Sequence, residues 1–200
     1  MNPIFTFIIS FFLGSIPTAY LAGKSLKNID IRQHGSGNVG ATNAFRVLGK
    51  KIGTAVFVLD FFKGFLPSLV FSKIAYSGNR EMGLWIGVAA ILGHIFSPFL
   101  KFKGGKGIAT GGGVLCAMYP ELFVLTFMIW VSVYFLTRIV SISSLMAMGS
   151  LVAMSWLFKL PTSTTILYFI IFIIFIWTHR SNISRLLCGK ENKVVNKKNT

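Results

Sequence analysis

The run Ile166-Leu167-Tyr168-Phe169-Ile170-Ile171-Phe172-Ile173-Ile174-Phe175-Ile176-Trp177 holds no charged side chain and gives way almost at once to His179, Arg180 and Arg185. Such a stretch with a basic flank reads as the end of a membrane span. Seven apolar segments of this kind can be read, at residues 4–22, 52–71, 82–100, 107–119, 122–137, 142–158 and 164–178. Exposed strand edges are not tolerated in hydrocarbon, so all seven are expected to be helices and the fold class is an all-α polytopic membrane bundle. Composition agrees: 54% of the 200 residues are apolar and 12% charged, where a soluble domain carries about 25% charged residues. Residues 1–23 lack the positive start of a cleaved signal peptide and read as a retained first helix. One membrane domain over residues 1–200, with a basic tail at 180–200, is the expected organisation.

The charges are strongly unbalanced, 20 Lys+Arg against 5 Asp+Glu, for a net charge of +15. Anionic lipid, anionic substrate or nucleic acid could account for that excess. Nucleic acid is set aside because the aromatic residues lie inside apolar runs and are not interleaved with the basic groups. Cys116 and Cys188 have neither CxxC spacing nor a nearby His pair, so no metal site is expected.

Most of the basic residues fall in three clusters: Lys24, Lys27, Arg32, Arg46, Lys50 and Lys51; Lys101, Lys103 and Lys106; and Arg180, Arg185, Lys190, Lys193, Lys197 and Lys198. Positive-inside reasoning puts all three on the cytoplasmic side, with the amino terminus outside and the carboxy terminus inside. The thirteen residues at 107–119 span only about 20 Å as a helix. They either complete seven crossings or enter and leave from one side, leaving five full spans; seven is the preferred count.

The chemistry gathers in the loops. Residues 35–43 read GSGNVGATN, with Arg46 following. The spacing matches GxGxxG, with Asp60 twenty residues on, but no βαβ unit surrounds it and Asp60 lies in an apolar helix, so a dinucleotide site is excluded. Glycines let backbone N–H groups approach an anion closely. Ser36, Gly37, Asn38, Thr42 and Asn43 are therefore candidate ligand contacts, with Arg46 a bidentate phosphate binder.

The second loop reads FKGGKGIAT at 102–110. Lys101 and Lys103 read as membrane-surface anchors. Lys106, with Gly104 and Gly105 before it and a helix starting after Gly107, sits where an anion is already favoured. Ser141 and Ser144, then His179 and Asn182, form two further polar clusters at segment ends. Asp60 and Lys63, three residues apart, read as a structural pair. His94 reads either as a satisfied helix-end histidine or as a substrate contact.

At these loops the chain resembles the bacterial acyl-phosphate:glycerol-3-phosphate acyltransferases, a family of seven-helix membrane enzymes of phospholipid synthesis. The similarity runs from Gly14 to Glu191 and is most specific at the two quoted loops. Val39 stands where the family usually has Pro, and Ser97 is inserted before Pro98. The resemblance implies transfer of a fatty acyl group from acyl phosphate to the 1-hydroxyl of glycerol 3-phosphate, giving lysophosphatidate and inorganic phosphate. It implies no obligatory metal or cofactor, since an acyl phosphate is already activated. It also implies a site on the cytoplasmic face of the inner membrane, with a soluble acyl-phosphate-producing enzyme as a candidate partner. By matching positions, the catalytic set is His179, Lys106 and Arg46. The substrate-binding set is Ser36, Gly37, Asn38, Thr42, Asn43, Gly104, Gly105, Ser141, Ser144 and Asn182. The His-x-x-x-x-Asp chemistry of soluble-domain acyltransferases is excluded, because Val39, Phe99 and Ser184 lie five residues beyond His34, His94 and His179. A transporter of an organic phosphate is the alternative, and it would place polar groups near the bilayer midplane in several helices.

Overall fold

The computed structural model describes residues 3–193, among which every regular element is helical. In chain order the α-helices are α1 (Pro3–Ser15), α2 (Thr18–Lys27), α3 (Ala41–Val47), α4 (Lys50–Tyr76), α5 (Arg80–Ile95), α6 (Ile108–Met118), α7 (Pro120–Thr137), α8 (Val140–Leu157), α9 (Thr162–Thr178) and α10 (Arg180–Leu187). Lys197 and Lys198 of the expected basic tail lie outside the described residues.

By length and apolarity, five segments among the described residues suffice to cross a bilayer: Pro3–Lys27, α4, Arg80–Leu100, α7 and α8. α9 with α10, bent by 61° at Thr178–Arg180, would make a sixth. The expected fourth segment is indeed helical, but α6 has 11 residues and rises only about 16 Å.

The chain divides into two compact units, Met1–Pro120 and Glu121–Thr200. In the first, α4 packs on α6 and α1 on α5 along seams of glycine. A Cβ at Gly64 would lie 2.1 Å from Thr110 O, and one at Gly93 would lie 2.0 Å from Phe11 O. Only glycine lets the backbones approach so closely, as is usual where helices associate in lipid. In the second unit α8 packs on α9, burying Leu151, Ser155, Leu167, Ile171 and Phe175.

The first segment is not the continuous helix expected over 4–22. Pro17 supplies no N–H and biases Ile16 away from helical geometry, so α1 stops at Ser15 and α2 begins at Thr18. The carbonyls released there find donors elsewhere in the unit. Ser97 Oγ donates to Ser15 O at 2.6 Å, and Lys63 Nζ donates to Ile16 O.

These seams carry a stability prediction. Gly64→Ala and Gly93→Ala should each destabilise by about 1–3 kcal/mol through overpacking, and each kcal/mol lowers the unfolding temperature in detergent by roughly 2–4 °C in a chain of this size. Gly149→Ala, whose Cβ would rest 3.4 Å from the Phe172 ring, should leave that temperature unchanged or raise it.

Candidate active site

The first loop is held from below and from within. Ala19, Ile31, Val39, Ala44, Leu48, Val56 and Leu100 form the buried cluster beneath it, so Val39 serves as an apolar plug. Asp30 caps the short 3-10 turn Ile31–Gln33 by accepting from Arg32 N at 3.1 Å. Its carboxylate also takes Arg32 Nε at 2.9 Å and Nη2 at 2.7 Å, and those side-chain bonds hold its pKa down at about 2.

Gly35 and Gly37 have φ values of +62° and +71°, which L side chains rarely adopt. Between them the chain turns back over Asn43, which is 1% exposed. Asn43 Oδ1 accepts from Ser36 N at 2.9 Å, while its amide donates to His34 O at 3.0 Å and Ile31 O at 3.3 Å. Both of its amide hydrogens are thus committed to the loop, which makes Asn43 the residue that shapes it. Asn38 Oδ1 accepts from Gly40 N at 3.0 Å, fixing the entry to α3. Ser36 and Arg46 are exposed and Thr42 is half-buried on the same turn of chain.

The second loop is pinned by its backbone. Gly104 N donates to Ile95 O at 2.9 Å and Gly105 N to His94 O at 3.1 Å. Gly107 then adopts φ +82° as the N-cap of α6, so Lys106 immediately precedes a helix N-terminus, where backbone N–H groups favour an anion. Ser15, Thr18, Val39, Lys63, His94 and Gly105 line one crevice, so both loops border the same space.

In the second unit Glu191 is the organising group. Its Oε1 accepts from Ser141 Oγ at 3.0 Å and Asn182 Nδ2 at 2.5 Å, and its Oε2 from Arg185 Nε at 2.7 Å. Burial raises its pKa, but the bonds from Asn182, Arg185 and Ser141 outweigh that, and the net shift is downward. Ser144 Oγ accepts from Trp130 Nε1 at 3.1 Å and donates to Val140 O at 2.9 Å. His179, 2% exposed, has Nδ1 2.8 Å from Phe175 O. A carbonyl cannot donate, so Nδ1 carries a proton in this contact.

The structure therefore gathers Ser36, Gly37, Asn38, Thr42, Asn43 and Arg46 on one loop and helix, and Gly104, Gly105 and Lys106 on a second loop, of which Gly105 lines the crevice. Ser141, Ser144, His179 and Asn182 sit in the second unit. Glu191 was not among the expected site residues; its only sequence signal is that it is a lone acid in a basic tail. Trp130 gave no signal beyond an apolar run. Among the described residues no group of three His, Cys, Asp or Glu side chains could hold a metal ion.

Fold and loops define a polytopic helical membrane protein with glycine-supported cationic loops. A profile described as glycerol-3-phosphate acyltransferase matches residues 4–189. The chain is 39% identical to the glycerol-3-phosphate acyltransferase of Aquifex aeolicus over 96% of its own length and all of that relative. It is 42% identical to that of Macrococcus caseolyticus over 96% of each chain. The crystal structure of PlsY (YgiH), an integral membrane glycerol 3-phosphate acyltransferase, in its glycerol 3-phosphate form, matches with a TM-score of 0.90 at 39% identity over 96% of each chain. The lysophosphatidic acid form matches with a TM-score of 0.85. The chain belongs to the glycerol-3-phosphate acyltransferase family.

Because Glu191 is depressed below its ordinary value of 4.5, its contribution to docking the segment after α10 is fully present above that value and lost as pH falls through the lower folded-state value. Glu191→Gln should weaken that docking at neutral pH. Limited trypsin digestion should then cut at Arg185 or Lys190 at least several-fold faster than in the parent chain.

Proposed function

We propose that this glycerol-3-phosphate acyltransferase takes its acyl group from an acyl phosphate, with the two glycine loops binding the phosphate groups. The observation that carries this reading is that the glycine loop leading to Arg46 and the glycine loop carrying Lys106, which opens α6, meet at one crevice lined by Val39 and Gly105. Both substrates are phosphate anions. The solved relative exists in forms with glycerol 3-phosphate and with lysophosphatidic acid, the acceptor and the product of such a reaction.

The acceptor hydroxyl attacks the acyl carbonyl, a C–O bond forms, and the bond from the carbonyl carbon to the phosphate oxygen breaks. Inorganic phosphate leaves, and the hydroxyl proton passes to the base. Arg46 and Lys106 neutralise phosphate charge and steady the tetrahedral oxyanion. Ser36, Gly37, Asn38 and Thr42 cradle one phosphate, with Asn43 shaping the loop and Gly104 and Gly105 setting the approach to Lys106. Ser141, Ser144 and Asn182 orient the acceptor, and Glu191 aims two of those three. His179, presenting Nε2, is the protein's candidate base; the substrate's own phosphate is the competing one.

The proposal extends to placement. The two units make one membrane domain in the bacterial inner membrane, α6 counts as a seventh crossing, and the clusters face the cytoplasm. The support is the distribution of Lys and Arg. A soluble enzyme that makes the acyl phosphate is the expected supplier.

Purified protein given palmitoyl phosphate and radiolabelled glycerol 3-phosphate should form labelled lysophosphatidate. Efficient use of palmitoyl-CoA instead would overturn the donor assignment. Lys106→Ala should lower kcat/KM by about 10²–10³, and a parent-like rate would remove this loop from the chemistry. His179→Gln should lower kcat by at least about 10² if the imidazole is the base; near-normal turnover would assign that role to the substrate phosphate.

A further inference from the structure

Three ionisable side chains lie buried together in the first unit: Asp60 is 1% exposed, Lys63 8% and His94 8%. Asp60 Oδ1 accepts from Lys63 Nζ at 2.7 Å and from Thr18 Oγ1 at 2.5 Å, and it lies 3.8 Å from His94 Nδ1. Neutralising the buried carboxylate needs only the lysine. The histidine is a third ionisable group at the same place, and the pair alone gives no reason for it. Its other edge supplies one. The ring tip lies so near the second loop that a Cβ at Gly105 would come within 2.1 Å of Nε2. The His94 carbonyl accepts from Gly105 N at 3.1 Å, and a Cβ at Gly104 would meet that same carbonyl at 2.0 Å. Lys106 is the next residue in the chain.

We propose that His94 is a positioning residue: packed beside Asp60 on one edge and seated against Gly105 on the other, it fixes the loop that aims Lys106. The imidazole transmits the rigidity of the buried pair to a loop that has no side-chain anchor of its own at Gly104 and Gly105. A displacement of about 1 Å in a group that stabilises charge in a transition state is enough to cost on the order of 10²-fold in rate. His94 therefore acts through Lys106.

This inference rests on the role assigned to Lys106, and a double-mutant cycle separates the two. His94→Ala should lower kcat/KM about tenfold, with the unfolding temperature in detergent within a few degrees of the parent. In a Lys106→Ala background the same change should cost less than about twofold, because the group being aimed is gone. Lys106→Gln takes that corner if Lys106→Ala falls below detection. His94→Gln, which keeps an amide tip toward Gly105 but loses the edge facing Asp60, provides the cycle if the alanine variant does not fold. A full tenfold loss in both backgrounds overturns the positioning role and leaves Lys106 in the chemistry. A parent-like rate from Lys106→Ala alone overturns the loop's role. Gly105→Ala should also lose activity by crowding the ring, and adding His94→Asn, which removes the ring tip, should recover part of it. Failure of any recovery would show that the contact does not set the loop.

Discussion

The first unit depends on how a helix break is satisfied. Pro17 interrupts the first segment and releases the carbonyls of Ser15 and Ile16, and a carbonyl buried without a donor is costly. Lys63 donates to one and Ser97 to the other. Lys63 can do so only because Asp60 neutralises it, and Asp60 is itself satisfied by Thr18, the first residue of the helix beyond the break. A buried ion pair is usually weak support for stability, because desolvating two charges offsets their attraction. Here the pair is kept by the hydrogen bonds it completes, and its removal would leave Thr18 Oγ1 without its carboxylate acceptor and Ile16 O without its side-chain donor.

That one locus also connects the two loops. α2 leaves the break carrying Ala19 into the cluster under the first loop, while Ser97 and His94 tie the start of the second loop to the same carbonyls and carboxylate. The loops share a foundation. Glycine in them does two separate jobs: Gly35 and Gly37 reach positive φ, whereas Gly104 and Gly105 make room for the His94 carbonyl and ring.

Much of this was legible from residue order because lipid leaves few options. An uncharged run such as 166–177 has to be helical, and the glycine-rich stretches before Arg46 and around Lys106 read as loops from their composition. What escaped the reading were contacts between distant residues. Lys63 with Ile16 and Ser97 with Ser15 bridge separations of 47 and 82 residues, and nothing local to Pro17 announces its donors. Asn43 looked like a ligand contact because its type is right for one; only its burial and its three bonds show that its donors are occupied within the loop. Glu191 is separated by 50 residues from Ser141, so the acid that organises the second unit's polar cluster had no motif to reveal it. The number of crossings was least legible, since an 11-residue helix such as α6 has the composition of a span without its length.

The scarcity of acids acquires a physical meaning once their positions are known. Asp30 is taken up by Arg32, Asp60 by Lys63 and Glu191 by Arg185, each within 2.7 Å. Each of these carboxylates has its own cation, so three of the five acids add little negative field beyond their immediate neighbours. For an enzyme whose two substrates and both products carry phosphate, this matters more than the total charge. An unmatched carboxylate near the loops would repel the ligand where desolvation makes repulsion strongest. Pairing lets the fold use carboxylates as rigid acceptors, for the Pro17 break, the 3-10 cap and the second unit's polar cluster.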